Sequence, residues 1–306
     1  MTGMEWSRKF WEEIAAPDFD RTFPRLKDEV AAGLVGNGSE CFGFDDELST
    51  DHDWGTDFFL WVTEAAADAI PALTRWKAAL LAAHPEYPRR KATELGAHTG
   101  VMTCGDFYRQ MTGFPQGPQT VREWFAVPVE QLAMAVNGQV FRDGAGTFSA
   151  IRRHLAEDCP EDLRRKRIAA RCMMLAQTGQ YNLGRCLKRG HTVSAFTTVG
   201  KFVDEAIGLV FLLNRAYKPY YKWQFPAMEK LPLLAGEAGP LLERLTAAGD
   251  WNARQECVDA LCALFAAELR KEGLSDAMDW FLAAHGQAVQ ATVRDPLLSQ
   301  LPPQVG

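Results

Sequence analysis

The sequence predicts an α+β fold, with an α/β domain over residues 1–145 and an all-helical bundle domain over residues 146–306. Strand-like apolar segments occur only before about residue 146, and helical patterns follow one another beyond it. The composition is that of a globular protein, with 47% hydrophobic and 24% charged residues. A chain of 306 residues is long enough for two domains of ordinary size.

The chain begins with helical patterns. Phe10 and Ile14, four residues apart, predict an amphipathic first helix that ends at Pro17. A second helix is expected from Pro24 through about Ala32, because proline is favoured in the first helical turn.

Three segments of the N-terminal half read as strands. Asp57–Val62 is apolar and aromatic and predicts a buried strand, and Gly100–Cys104 and Gln139–Phe141 are shorter candidates. A helix is expected over 64–84, and a short one over Asp106–Met111. The N-terminal half therefore combines helices with a small number of strands.

The C-terminal half shows helical patterns alone. They cover residues 147–157, 160–178, 181–189, 192–217, 238–248, 251–271 and 275–289. The tail Pro302–Gly306 is expected to fray.

The cysteines and apolar runs exclude several classes of protein. The chain has seven cysteines and no C-x-x-C pair, which argues against a disulfide framework and a cysteine zinc site. The longest apolar run, near Ala206–Leu213, is far shorter than the roughly 20 residues of a membrane span. No signal peptide is recognised, so a reducing cytoplasmic location is expected and no membrane partner.

Charge is unevenly distributed along the chain. Residues 160–223 hold 12 Lys and Arg against 4 Asp and Glu, a net charge of +8 that leaves −14 on the rest of the chain. A basic region together with an acidic loop favours an anionic ligand carried with metal ions. The alternative is that Arg164–Arg167 form a solvated helix face. The excess of negative charge elsewhere argues against a nucleic-acid partner.

The least ordinary segment runs from residue 33 to residue 55 and is rich in Gly, Ser and Asp. Gly38-Ser39 follows an apolar stretch, and such a turn offers backbone N–H groups and a hydroxyl to phosphate oxygens. Asp51 and Asp53 lie two residues apart, so on an extended chain their carboxylates share one face. Two adjacent like charges favour a cation between them, and carboxylate oxygens suit Mg²⁺.

The spacing Gly38-Ser39-x11-Asp51-His52-Asp53 resembles the nucleotidyltransferase superfamily, which has the DNA polymerase β-like fold. The serine that usually precedes the aspartate pair is displaced to Ser49. The longer string from Gly36 to Asp53 is similar to that of an uncharacterised bacterial nucleotidyltransferase-like subfamily with a helical C-terminal domain. Two further strings, Gln180–Arg185 and Leu213–Trp223, extend the resemblance over roughly residues 4–235.

The resemblance implies a small mixed-sheet nucleotidyltransferase domain and a Mg²⁺-dependent reaction. Asp51 and Asp53 would hold Mg²⁺, and Gly38 and Ser39 would cradle the phosphates of a nucleoside triphosphate (NTP). A nucleoside monophosphate would pass from the NTP to a hydroxyl of a small molecule or a protein.

The family also carries a third carboxylate, which serves as metal ligand or general base. Asp106, just beyond the Gly100–Cys104 strand, is the candidate for this catalytic role. Asp57 shares the parity of the aspartate pair, and Asp143 follows the last strand. The missing acid leaves two alternatives: a non-catalytic nucleotide or metabolite sensor, and an RNA-acting protein prompted by the basic window.

A second group of candidates lies in the helical half. Arg185, Tyr217, Lys218 and Lys222 combine aromatic rings with cations, so that the cations could bind triphosphate oxygens and an aromatic ring could stack on the base. The alternative is a helix that ends before Pro219 and places lysines against its own dipole.

Overall fold

The structure, a computed structural model, describes residues 1–51, 54–90 and 99–306, except for the side chain of Asp51. The chain divides into a first unit, residues 1–158, built around a sheet, and a second unit, residues 159–306, made of helices. Each unit has its own hydrophobic core.

The sheet of the first unit has four strands in the described part of the chain. They are β1 (Val30–Leu34), β2 (Phe59–Val62), β3 (Val101–Thr103) and β4 (Gln139–Asp143), arranged in the order β3-β2-β1-β4. Strand β1 pairs antiparallel with β2 and with β4, and β2 pairs parallel with β3, so the sheet is mixed.

The register of these strands fixes what lies at each edge. Gly33 pairs with Phe59, and Leu34 pairs with Gln139, so β1 ends where β2 and β4 begin. Strand β3 runs parallel to β2 and therefore begins at the same edge. We call this the Leu34 edge. The opposite edge, where β1 begins and the other three strands end, is the Val30 edge.

Helices cover both faces of the sheet. The helical segments of the first unit are α1 (Gly3–Phe10), a π-helical turn (Trp11–Ala15), α2 (Ala16–Thr22), α3 (Ser39–Phe42), α4 (Ile70–Ala83), α5 (Cys104–Thr112), α6 (Val121–Ala126), α7 (Val129–Val136) and α8 (Thr147–Glu157). Leu60 and Val62 pack in the cluster that contains Phe10 and Leu73, from α1 and α4. On the other face Trp61 stacks on Phe148 of α8, with ring centroids 3.8 Å apart.

The second unit contains only helices among its described residues. They are α9 (Glu161–Leu175), a π-helical segment (Ala176–Leu183), α10 (Gly184–Lys188), α11 (Thr192–Leu213), α12 (Gln224–Met228), α13 (Ala235–Ala247), α14 (Trp251–Lys271), α15 (Leu282–Ala291) and α16 (Pro296–Gln300). Helix α9 packs against α11 and α15 at the centre. None of the described helices combines the length and the apolar composition needed to cross a bilayer.

The predicted α+β class is confirmed, and so are the three predicted strands, which are β2, β3 and β4. The helix expected from Pro24 through Ala32 is wrong. A 3-10 turn at Pro24–Leu26 is followed by strand β1. Strands on both sides of β1 satisfy its backbone hydrogen bonds, and this outweighs its low intrinsic strand propensity.

The C-terminal tail also differs from expectation. Lys166 is fully buried, and its ammonium donates to the carbonyl oxygens of Leu301 (3.2 Å) and Pro302 (2.7 Å). Pro302, the first residue of the tail that was expected to fray, is therefore held by a buried charge.

Glu161 joins three arginines at the start of the second unit. Its carboxylate accepts hydrogen bonds from Arg164 and Arg215, both at 2.8 Å, and from Arg165 at 3.2 Å. Partial burial opposes ionisation, but these hydrogen bonds outweigh it and lower the pKa of Glu161 to about 2.

This lowered pKa predicts a pH-dependent contribution to stability. A carboxyl with a folded-state pKa of about 2 and a usual pKa of 4.5 stabilises the fold above pH 4.5 and loses this effect as the pH falls towards 2. Glu161→Gln should therefore be less stable than wild type at pH 7, and the difference should vanish near pH 2. Urea unfolding across this range measures it. Glu243→Gln, at an exposed glutamate, is the control; an equally pH-dependent difference there would contradict the assignment.

Candidate functional site

The turn after β1 is held by the start of β4. Gly36 has φ +135°, a conformation that glycine adopts without strain. Its N–H donates to Asn137 Oδ1 at 2.9 Å, and Asn137 Nδ2 donates to its carbonyl oxygen at 2.6 Å. The N–H of Gly138 donates to the carbonyl of Cys41 at 2.8 Å. The turn at the Leu34 edge is therefore fixed at both of its ends.

Gly38 and Ser39 lie within this turn. Gly38 precedes the four-residue helix α3, and Ser39 is its first residue. The Ser39 hydroxyl has no hydrogen-bond partner within 1–51, 54–90 and 99–306. A Cβ atom at Gly38 would lie 2.6 Å from both carboxylate oxygens of Glu40, so a larger residue would displace that side chain. The turn thus carries the Ser39 hydroxyl, and the buried Glu40 carboxylate lies against Gly38.

Glu40 forms a buried ion pair with Arg90. The two side chains are only 1% and 7% exposed. Arg90 donates from Nη2 to Glu40 Oε1. Glu40 Oε2 and Arg90 Nε and Nη1 are buried without a hydrogen-bond partner among the described residues. Buried polar groups are seldom left unpaired, so this pair is unusual.

The segment that carries the aspartate pair is only partly described. Asp51 ends a 3-10 turn, Glu47–Asp51, but its side chain lies outside what the structure describes, as do His52 and Asp53. Trp54, which follows, donates from its indole to Asp45 Oδ2 at 3.0 Å. Asp45 also accepts from the first N–H of α1, that of Gly3, at 2.7 Å. Asp45 is therefore a structural anchor for this loop.

The chain then enters β2 along the segment that carries Arg90. Gly55 has φ +121°, and a Cβ atom there would lie 2.9 Å from the carbonyl carbon of Arg89. The N–H of Thr56 donates to the carbonyl of Pro88 at 2.8 Å. The entry to β2 and the segment around Arg90 are therefore in direct contact.

Asp57 links three elements at the Leu34 edge. Its carboxylate pairs with Lys77 of α4 at 2.7 Å and accepts from the N–H of Phe58 at 2.7 Å and from the hydroxyl of Thr99. Burial lowers the pKa of Lys77, while the charge of Asp57 acts in the opposite direction. This ion pair fixes α4 and the residues before β2 and β3.

Asp106 and Asp143 lie at the Val30 edge. Asp106 follows the end of β3, in the first turn of α5, and its carboxylate pairs with Arg109 at 2.5 Å. Asp143 ends β4 and accepts from the N–H of Ser149 at 2.7 Å, near the start of α8. The topology therefore does not bring Asp106 and the Gly38-Ser39 turn together.

The four candidates in the second unit have different surroundings. Arg185 is exposed and donates to the hydroxyl of Tyr181 at 2.9 Å. Lys222 is exposed above the ring of Trp223, 4.8 Å from its centroid. These two cations are available to a ligand.

The other two candidates are more enclosed. Lys218 is bound to Asp204 at 2.6 Å and to Gln224 at 2.9 Å. Burial raises the pKa of Tyr217, which also shares a hydrogen bond with Cys159. Tyr217 and Lys218 are adjacent in sequence, but a ligand at Lys218 would compete with the Asp204 carboxylate that already binds this largely buried ammonium.

The described residues contain no group of three or more His, Cys, Asp or Glu side chains suited to a metal ion. Glu40 and Asp57, two acids at the Leu34 edge, are each paired with a cation, and Asp45 accepts from Gly3 and Trp54. A divalent cation would therefore depend on Asp51 and Asp53, whose hard carboxylate oxygens suit Mg²⁺.

Sequence reasoning missed several residues that shape this edge. Arg90, Asn137 and Lys77 are distant from the motif in sequence and belong to no pattern that marks them. Glu40 directly follows Gly38-Ser39, and its place beside a phosphate-binding motif was the available signal.

Three comparisons with known proteins complete the description. A family model described as a domain of unknown function, DUF4037, matches residues 124–224. No curated protein matches this chain. A nucleotidyltransferase-like protein from Exiguobacterium sibiricum is similar in structure, with 12% sequence identity, coverage of 86% of this chain and 77% of that chain, and a TM-score of 0.39.

The Asp57–Lys77 ion pair yields a prediction for stability. Lys77→Met leaves a largely buried carboxylate without its cation and should lower the free energy of unfolding by about 3 kcal/mol. The double variant Lys77→Met/Asp57→Asn should lose less than the sum of the two single variants, since it removes both charges. Denaturant unfolding followed by tryptophan fluorescence measures these changes. Arg75→Met, at an exposed cation on the same helix, should change stability little; equal losses would contradict the role of the pair.

Proposed function

We propose that this protein is a Mg²⁺-dependent nucleotidyltransferase that moves a nucleoside monophosphate from an NTP to a hydroxyl of a small molecule or a protein. One observation carries the proposal: Gly33 pairs antiparallel with Phe59. The Gly38-Ser39 turn leaves β1 where β2 begins, and the aspartate pair precedes β2 by a few residues. We therefore propose that the Gly38-Ser39 turn and the aspartate pair, which precedes β2 in sequence, act together at the Leu34 edge.

In this proposal each part of the edge has a distinct task. The Ser39 hydroxyl and the N–H groups of the turn donate to phosphate oxygens, while Asn137 keeps the turn in place. Asp51 and Asp53 would hold Mg²⁺, which when bound neutralises triphosphate charge and activates the acceptor hydroxyl. The Asp57–Lys77 pair fixes the start of β2. Little covalent chemistry by the protein is required.

Arg185, Tyr217, Lys218 and Lys222 of the second unit stay proposed ligands of phosphate and base. Arg185 and Lys222 can bind phosphate oxygens without losing an ion pair, because both are exposed. Lys218 would have to exchange Asp204 for phosphate, and Tyr217 would contribute mainly through its ring. We do not assign Asp106 to this centre, because its helix follows β3 at the Val30 edge.

A second candidate function is a non-catalytic nucleotide or metabolite sensor. It is favoured by the state of the described acids at the Leu34 edge, since Glu40 and Asp57 both pair with buried cations. Neither is available as a general base in this arrangement. An RNA-acting protein is the weaker alternative, because the net charge of the whole chain is −6.

The test of the site is a thermal-shift panel with ATP, GTP, CTP and UTP, each with and without Mg²⁺. A nucleotide at 100 times its dissociation constant stabilises the folded state by about 2.7 kcal/mol. Wild type should show a Mg²⁺-dependent shift with at least one nucleotide, and Asp51→Asn/Asp53→Asn should lose it. Asp106→Asn, which removes a carboxylate at the opposite edge, should keep it. The absence of any shift in wild type would refute the nucleotide site.

Catalysis is tested separately, by pyrophosphate release from the stabilising NTP with a cellular small-molecule extract or protein fraction as acceptor. Release that depends on Asp51 and Asp53 supports transfer. Nucleotide binding without release would favour the sensor.

A further inference from the structure

We propose that Arg90 is a further ligand-binding residue of this site and that its guanidinium binds an oxygen of the polyphosphate chain of the nucleotide. The inference rests on the proposed function, and it names a residue outside the Gly-Ser and Asp-x-Asp motif. Three observations carry it: the place of Arg90, its unpaired N–H groups and the acid that holds it.

The first observation is proximity to the phosphate-binding turn. The carboxylate oxygens of Glu40 lie 2.6 Å from the position of a Cβ atom on Gly38, and Arg90 Nη2 donates to one of them. The guanidinium therefore donates directly to a carboxylate that lies against the Gly38-Ser39 turn. Arg90 also adjoins the entry to β2, since a Cβ atom on Gly55 would lie 3.0 Å from its backbone nitrogen. It therefore lies between the Gly38-Ser39 turn and the entry to β2.

The second observation is the unpaired state of the guanidinium. Only 7% of the Arg90 side chain is exposed, yet its Nε and Nη1 atoms have no hydrogen-bond partner among the described residues. A buried donor without a partner costs about 1–3 kcal/mol, and more when it is charged. An anionic oxygen would remove this cost through a charge-assisted hydrogen bond. The unpaired Nε and Nη1 donors of Arg90 are thus suited to a negatively charged acceptor.

The third observation is the role of Glu40. Its 1% exposed carboxylate keeps one oxygen unpaired, so the ion pair is incomplete on both sides. Glu40 is a positioning residue: its hydrogen bond holds Arg90 next to the Gly38-Ser39 turn, and its carboxylate offsets the positive charge of the guanidinium. Its negative charge also opposes a phosphate, so removing that charge should strengthen anion binding.

Arg90 lines a cleft of about 230 Å³ in the first unit, together with Thr56, Asp57, Tyr87 and Arg89. Thr56 adds a buried hydroxyl without a partner among the described residues. This end of the cleft is polar and carries two arginines, together with the Asp57 carboxylate, whose charge is offset by Lys77.

The test is calorimetric titration of the full-length protein with tripolyphosphate and Mg²⁺ at fixed ionic strength. Arg90→Met should weaken binding by about tenfold or more, as expected for the loss of a charged hydrogen bond. Glu40→Gln keeps an oxygen that can accept from Arg90 Nη2 but removes the negative charge, so it should bind as tightly as wild type or more tightly. Arg109→Met, which removes an arginine from an exposed ion pair at the Val30 edge, is the control and should bind normally.

A double variant distinguishes loss of binding from loss of folding. Arg90→Met leaves Glu40 buried without its cation, so Arg90→Met/Glu40→Gln, which removes both charges, is titrated beside it. The double variant should also lose tripolyphosphate binding while it remains folded. Equal weakening in Glu40→Gln would instead indicate a structural pair and overturn the inference.

Two other outcomes overturn the inference and separate it from the proposed function. If the folded double variant binds tripolyphosphate as wild type does, Arg90 is not a ligand residue, and a Mg²⁺-NTP shift that depends on Asp51 and Asp53 leaves the proposed function standing. If wild type binds neither tripolyphosphate nor any NTP, both fail.

Discussion

The antiparallel pairing of β1 with β2 is the constraint on which the candidate site depends. Its register sets Gly33 opposite Phe59, so the chain leaves β1 for the Gly38-Ser39 turn where β2 starts. Strand β4 begins at the same edge, and Asn137, two residues before it, holds the turn. A shift of the β1–β2 register by one residue would turn every side chain of the strand to the other face of the sheet. Both faces are packed against helices, so the core disfavours such a shift.

The Leu34 edge is also where the first unit buries charge. Glu40–Arg90 and Asp57–Lys77 both lie there, each with side chains less than one-fifth exposed. Buried ion pairs contribute little net stability, because desolvation offsets attraction. We therefore explain their position by what they hold in place: both pairs fix the backbone around the turn and the entry to β2. The Glu40–Arg90 pair also leaves N–H donors of Arg90 unpaired among the described residues, and these can bind a ligand.

Sequence reasoning reached the fold class and three of the four described strands, β2 from a strong apolar and aromatic pattern and β3 and β4 from short apolar segments. It missed β1, whose centre is Ala31, Ala32 and Gly33, residues with weak strand propensity that are held by partners on both sides. The motif itself was visible because Gly38-Ser39 and the aspartates are close in sequence. Arg90 and Asn137 were not, because only the fold brings residues 50 or 101 positions away to the turn.

The proposed function requires the polyphosphate of a nucleotide to bind at the Leu34 edge. Photo-crosslinking with an ATP analogue that carries an azidoanilide on its γ-phosphate can locate the bound polyphosphate, with Mg²⁺ present and the cross-linked peptides identified by mass spectrometry. Binding at the Leu34 edge should give labels within residues 35–43 and 84–90 that excess ATP abolishes. Labels confined to residues 159–306, with none in the first unit, would contradict it.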